Sequence, residues 1–385
     1  MKTWSLHIVW IVALMAVTSC SRDPIIASRQ YIDRGDRYLQ AGDYKAAAIE
    51  YRNAAKTAPQ SGTPHLKLGE AATASGDLET AIDEYLRAAS IDPQNATAQV
   101  RAASAYLLTG RFRDARAHGE EALRLAPDNA SAHLVVGEAL AAQHDAVHSE
   151  AHLLQSVRLA PDSADAHVAL GNLYRAVGRS SEAEHELKRA TVLAPKETAA
   201  NRALASFYLE TNRPSEAEPF LARLVADNPQ DVVAILQRSK VLADLGRAGD
   251  ALAAVDAADT LEPDSPRVML ARAYVLVRQK RVDDGIWWAL RARERHPDDF
   301  APPLRLALAQ ILEAGGRRKA AEQEYAEILT KSPRNWIAAN NLAWMFLADG
   351  RPDDALRLAR AASQEAPASL QVRNTLDTIT RRLAR

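Results

Sequence analysis

One cysteine, Cys20, is all the thiol chemistry that 385 residues contain. An intrachain disulfide is therefore excluded, and so is any zinc or iron–sulfur centre built on several thiolates. Aromatic side chains are scarce at 5%, which argues against a sheet protein, because strands favour aromatic and β-branched residues. An excess of either charge is lacking too: 48 Lys and Arg face 49 Asp and Glu. No nucleic-acid partner is expected, since phosphate neutralisation supplies most of such affinity and calls for a basic excess or stripe. Catalytic signatures are also missing. There is no HExxH zinc pattern, no GxSxG elbow and no phosphate-cradling glycine loop, so neither enzymatic activity nor a cofactor is expected.

Long apolar runs are missing with one exception, IVWIVALMAV at residues 8–17. Ten residues are too few for a transmembrane helix, which needs about 20. With Lys2 ahead of it, the run fits the apolar region of a secretory signal. The residues that follow, Val17-Thr18-Ser19-Cys20, resemble the lipobox of bacterial lipoproteins: one aliphatic residue, two small ones, then cysteine. That resemblance implies removal of residues 1–19, acylation of Cys20 on its sulfur and on its new amino terminus, and a tether over 20–27. Several chains anchor stably where one binds only marginally. Ser21 follows the cysteine instead of the Asp that signals inner-membrane retention. By that rule the protein belongs to the bacterial envelope, at the outer membrane and facing the periplasm.

From residue 28 the chain repeats itself. Pro59, Pro93, Pro127, Pro161, Pro195, Pro229, Pro263 and Pro297 follow one another at 34 residues, then Pro333 after 36 and Pro367 after another 34. Proline cannot continue a helix and pushes its predecessor out of the helical region, so each marks a helix end. In the first unit Tyr31, Gly35 and Tyr38 share one helical face, AGDY supplies a turn, and Ala47, Tyr51 and Ala54 share the face of a second helix. In the second, Gly69, Gly76, Ala81, Tyr85 and Ala88 hold the same places; in the fifth, Gly171, Tyr174, Gly178, Ala183, Leu187 and Ala190 do.

This small–large–small pattern ending in proline at a 34-residue period resembles the tetratricopeptide repeat (TPR). The resemblance covers 28–367 as ten helix–turn–helix units. It implies an all-α fold, a right-handed α-solenoid whose units lean on one another because none can bury its apolar face alone. Residues 368–385 place Val372, Leu376, Ile379 and Leu383 on one face with arginines elsewhere, as a capping helix would. Some units depart from the pattern. Gly119 stands where a bulky residue normally packs, Ser149 replaces an alanine and His144 a turn glycine, which suggests looser packing in the fourth unit. Gly285 stands at the alanine place of the eighth, and the two extra residues before the ninth predict a bend near 300–303.

TPR units line a groove with their first helices. By matching positions, the groove would present Asn172 and Arg175, then Arg202 and Ser206, Lys240, and Tyr274 with Arg278, a moderately basic and partly aromatic stretch suited to an extended acidic or amphipathic peptide. The rival reading is a polar groove that only keeps the chain soluble. Tryptophan marks a second candidate surface. Four of the six tryptophans fall between Trp287 and Trp344, and neighbours on a helix cannot share one face. One of Trp287 and Trp288 is therefore expected at the surface, where tryptophan is a frequent binding hot spot; the other could fill the gap at Gly285. His144, His148 and His152 recur every four residues, as metal-ligating histidines do, with Glu150 and His185 as conceivable companions. Their places belong to a solvated helix face in TPR proteins, so no metal is expected.

The layout resembles bacterial TPR lipoproteins, including those of type IV pilus assembly, exopolysaccharide export and, through NNLAWMFLADG at residues 340–350, exosortase (PEP-CTERM) systems. The expected function is a membrane-anchored scaffold binding envelope proteins or peptides. The alternatives are a metal-handling or enzyme-accessory lipoprotein using the histidines, and a spacer that binds nothing.

Overall fold

The computed structural model describes residues 23–297, 300–367 and 369–383; Cys20 and the apolar run before it lie outside them. Among the described residues there are twenty-one α-helices and no strand. No helix there is long and apolar enough to cross a membrane. The chain divides into two compact units at His144 and Asp145. The sequence pattern alone marks no division there, although the fourth repeat, where it falls, carries both His144 and Ser149.

In the first unit, α1 (Pro24–Gln40) pairs with α2 (Tyr44–Thr57), α3 (Thr63–Ser75) with α4 (Leu78–Ile91), and α5 (Ala96–Leu108) with α6 (Phe112–Leu125); α7 (Ala130–Ala142) ends it. The second unit begins with α8 (Ala146–Leu159). Three hairpins follow: α9 (Ala164–Ala176) with α10 (Ser180–Leu193), α11 (Thr198–Glu210) with α12 (Pro214–Asp227), and α13 (Val232–Asp244) with α14 (Ala248–Leu261). Three more are α15 (Pro266–Arg278) with α16 (Val282–Arg295), α17 (Pro302–Ala314) with α18 (Arg318–Lys331), and α19 (Trp336–Ala348) with α20 (Pro352–Glu365). The last helix, α21 (Leu370–Leu383), buries Val372 and Ile379 against the last hairpin. Residues 24–27, assigned to the tether by the sequence, are instead the first turn of α1, capped by Asp23 accepting from the Ile25 N–H at 2.9 Å.

The helix ends follow from local chemistry. Asp43, Asp77, Asn95, Asn129, Asp231 and Asn335 each accept a backbone N–H from the first turn they precede, satisfying a donor that has no partner inside the helix. The turn within a hairpin needs a residue at positive φ. Gly178 supplies it at φ 78°, while His144 and Lys280 adopt φ 63° and 64° in the equivalent turns, a left-handed conformation that non-glycine residues rarely take.

Small residues set the closeness of each hairpin. A methyl added to Gly171 would lie 2.7 Å from Leu187 of the facing helix, so glycine is what lets that leucine seat. The eighth repeat reverses the arrangement. A methyl on Gly285 would meet Val277 at 2.6 Å and the Ala273 carbonyl oxygen at 2.8 Å; Val277 of α15, not a tryptophan, occupies the space the glycine leaves. Gly119 is likewise met by Val136. The two extra residues of the ninth repeat lengthen the connection between α16 and α17, and Phe300 in that connection is buried in the core of the last hairpins.

Two polar ladders accompany this core. At one register position of the first helices, Gln99, His133, His167 and Asn201 each reach back six residues to the carbonyl of Pro93, Pro127, Pro161 and Pro195, at 2.9–3.1 Å. The other ends of three of them meet the second helix: Gln99 with His118 at 2.7 Å, His167 with Glu186 at 2.6 Å, and Asn201 with Arg223 at 3.2 Å. His65 with Glu84 at 2.6 Å continues the series. The proline that ends one repeat is thus tied to the helix that starts the next, and buried polar atoms find partners.

The second ladder links neighbouring hairpins. An arginine opening the second helix reaches a glutamate 29 residues earlier: Arg179 to Glu150 at 2.8 Å, Arg213 to Glu184 at 2.6 Å, Arg247 to Glu218 at 3.5 Å and Arg351 to Glu322 at 3.2 Å. The same guanidinium lies over an aromatic ring of its own hairpin in three of the four, Tyr174, Tyr208 and Phe346.

Candidate binding face

Side chains at the ninth position of the first helices of the second unit make one row: Asn172 on α9, Ser206 on α11, Lys240 on α13, Tyr274 on α15, Gln310 on α17 and Trp344 on α19. These helices pack side by side, α9 on α11 and α13 on α15 on α17. Within each of these packed sets the row passes from one helix to the next, its members 34 residues apart except for the 36 between Tyr274 and Gln310, and helix geometry places the residue one turn away beside each member.

Tyr274 donates its hydroxyl proton to Asp244 at 2.5 Å, and Arg278 pairs with the same carboxylate at 3.0 Å. Burial and the Asp244 charge both push the Tyr274 phenol well above its ordinary pKa, so it stays a neutral donor. The Lys240 ammonium lies 5.1 Å from the centre of the Tyr274 ring, a cation–π arrangement. Arg175 pairs with Glu210 at 2.8 Å, and Arg202 with Asp231 at 2.6 Å. Burial works to raise the Asp231 pKa, but the Ala234 N–H and the Arg202 guanidinium outweigh it and hold the carboxyl below its usual value.

These pairs correct the expectation of a basic stretch. Arg175, Arg202 and Arg278 are each neutralised by an acid on a neighbouring stretch, leaving Lys240 as the cation of the predicted set that has no carboxylate beside it among the described residues. Two amides on these helices keep an unpaired oxygen. The side-chain oxygen of Asn172 is buried without a partner, and so is that of Asn340, which is 2% exposed on α19. A buried acceptor left unpaired costs free energy, and neither oxygen has surface open to a docking ligand. One turn along from Asn340 stands Trp344, 48% exposed. Sequence reasoning passed over both; the register shared with Asn172 and Tyr274 was the signal that could have found Trp344.

Trp287 and Trp288 sit on α16, a second helix, and are not part of this row. Trp287 is 52% exposed with the Arg291 guanidinium 4.9 Å from its ring. Trp288 is half-buried against the core, with Arg272 5.3 Å from its ring, and the two indoles meet edge to face at 5.1 Å. The first unit has a hollow of about 430 Å³ between α2 and the hairpin of α3 and α4, floored by Leu68, Ala71 and Ala72 and rimmed by Lys45, Arg52 and Asp77.

The histidines do not assemble into ligands. His144 is the left-handed turn residue after α7. His148 turns its Nδ1 to both carboxylate oxygens of Asp145 at 2.9 Å. His152 stands at the register place that Glu84, His118 and Glu186 hold in their hairpins, and it has a partner of its own. Glu150 is taken by Tyr174 at 3.0 Å and Arg179, and His185 is exposed on α10. Among the described residues no group of three or more His, Cys, Asp or Glu is placed to hold a metal ion.

The tetratricopeptide repeat sequence pattern matches residues 32–96, 168–232, 236–300 and 306–369, and a second pattern of that repeat matches 72–135. No curated protein matches the chain. Among solved structures, a tetratricopeptide repeat protein from Parabacteroides merdae is 18% identical over 65% of this chain and 98% of its own, with a TM-score of 0.51. A monomeric mutant of IFIT1, solved with Gppp-AAAA, is 15% identical over 86% of this chain and 79% of its own, with a TM-score of 0.56. At these identities the likeness is one of fold.

Proposed function

The chain belongs to the tetratricopeptide repeat family, and on that premise we propose that it is a lipid-anchored scaffold of the bacterial envelope that holds an extended segment of a partner protein along the first helices of its second unit. Members of this family present preformed surfaces to other proteins, and binding requires no turnover. The row from Asn172 to Trp344 carries the reading. It offers a lysine ammonium for a carboxylate and a half-exposed tryptophan face for apolar side chains. Alternating polar and apolar contacts along an extended chain are how such a surface would select its ligand. The anchor follows from Val17-Thr18-Ser19-Cys20, with acyl chains on Cys20 holding the scaffold at the outer membrane on its periplasmic side. Systems that assemble pili, export exopolysaccharide or depend on exosortases are the settings in which such a scaffold would act.

Crosslinking and capture with the protein in its own membrane tests the binding face. Lys240→Gln combined with Trp344→Ala should abolish capture of a partner held by the wild type. Both are open to solvent: Lys240 is exposed beside the Tyr274 ring, and Trp344 is half-exposed. Arg202→Glu is a poor probe, because it would set a second acid against Asp231. If capture survives the double variant and disappears with Trp287→Ala, the binding surface lies on α16 and the row is not the site. If the wild type captures nothing, the spacer reading stands.

A further inference from the structure

The first helix carries one turn more than the repeat requires. The other first helices of the hairpins have 13 residues; α1 has 17. Its glycine, Gly35, aligns with Gly69 and Gly171, so the additional residues are 24–27, at the amino end. This turn does not serve the core of its hairpin. Ile25 is 73% exposed and Ile26 55%, on neighbouring faces of the same turn, whereas burial in α1 begins at Ser28. The first turn has no acidic residue beyond its exposed cap, Asp23, whose carboxylate is held by the Ile25 N–H, and Arg29, one turn on, is exposed.

Resting on the lipid-anchored reading of Cys20, we infer that this turn is a membrane-contact surface, with Ile25 and Ile26 set into the headgroup region of the bilayer that holds the acyl chains. Chain length supplies the constraint. Five residues separate the two α-carbons at most, and an extended chain spans no more than about 3.6 Å per residue, so Ile25 lies within about 18 Å of Cys20. An acylated Cys20 sits at the headgroup level, and the headgroup layer is several ångströms deep. The chain-nearest apolar surface of the folded part therefore lies within reach of a medium that takes apolar side chains and tolerates a flanking arginine at an anionic surface. A helix turn with two exposed isoleucines is costly in water and useful there.

The lone cysteine provides the test. Once Cys20 is acylated, Ile25→Cys, Ile26→Cys or Leu108→Cys in the full chain leaves a single free thiol. Each purified lipidated variant is reconstituted on vesicles of phosphatidylethanolamine and phosphatidylglycerol, and its reaction rate with a membrane-impermeant maleimide is compared with that of the same variant carrying Cys20→Ser, free in buffer. Leu108, 67% exposed, is the reference. Protection of at least about tenfold at 25 and 26, with none at 108, is the expected result for an interfacial turn. Equal rates at 25 and 108 on vesicles, with palmitate incorporated at Cys20, would overturn the membrane-contact turn while leaving the anchor in place. If Cys20 takes up no palmitate and the unsubstituted chain itself reacts with maleimide, the anchor fails, and the inference falls with it.

Discussion

Arg213, at the opening of α12, donates to Glu184 of the preceding hairpin at 2.6 Å while its guanidinium lies 4.7 Å from the ring of Tyr208 in its own. One side chain thereby fastens an inter-hairpin contact and the inner packing of a hairpin together. In a stack where each repeat depends on its neighbours, stability is shared between the units and the interfaces joining them. An interaction that bridges an interface therefore affects cooperativity as well as total stability.

Acid should dissolve this bridge. The hydrogen bond from Arg213 is the largest influence on Glu184; with Lys188 assisting, it outweighs burial and lowers the carboxyl pKa from 4.5 to about 2. The group is depressed in the folded chain, so its stabilisation is complete above pH 4.5 and is lost as the pH falls towards about 2. Glu184→Gln should cost about 1 kcal/mol at neutral pH, the scale of a partly exposed pair. It should also flatten the fall in stability over that acid window. Urea denaturation at pH 7, 4 and 3 checks both; a variant that tracks the wild type in parallel through the window would mean that Glu184 is not a linked group.

Gly171 gives a prediction in which two local effects oppose each other. Alanine is the better helix former by about 1 kcal/mol, so Gly171→Ala would stabilise an exposed helix. Here the new methyl would come within 2.7 Å of Leu187, and overpacking of that kind costs about 1–3 kcal/mol. The net effect should be destabilisation. Adding Leu187→Ala should remove the clash, so the double variant should be more stable than the sum of the two single losses predicts. Thermal unfolding of the three variants decides it, additivity being the contrary outcome.

How much of this could be read from residues alone differs between the scaffold and its surface. The proline ladder and the small–large–small pattern recur from repeat to repeat along the chain, and they place the hairpins. The arginine–glutamate ladder was also present in the sequence, as a recurring offset of 29 residues from Glu150 to Arg179 and from Glu184 to Arg213. It goes unnoticed because each residue looks like ordinary surface charge until the hairpins are stacked. The charge of the binding face was misjudged for the same reason. Arg202 counts as a free cation until Asp231, the cap of the next first helix, is known to lie 2.6 Å away. The unpartnered oxygens of Asn172 and Asn340 have no sequence signature, because they depend on what every neighbour fails to supply.

His118 tests the other polar ladder through its sensitivity to mild acid. Its Nδ1 lies 2.7 Å from the Gln99 side-chain oxygen, an acceptor, so that nitrogen carries the proton, and its ring packs 5.3 Å from Tyr106. Burial pushes the His118 pKa below the ordinary 6.5; Arg111 adds to the depression, and Asp114 opposes it. In the unfolded chain the ring takes up a proton near pH 6.5, whereas in the folded chain it resists until the pH is lower. Acidification through that interval therefore favours unfolding. His118→Gln keeps a polar group able to reach Gln99 but cannot titrate. Between pH 7 and 5 the wild type should lose stability faster than this variant, so that their difference at pH 7 narrows as acid is added. The comparison needs only denaturation midpoints in the two buffers, and a difference that widens with acid would require a His118 stabilised in its charged form, against the burial seen at α6.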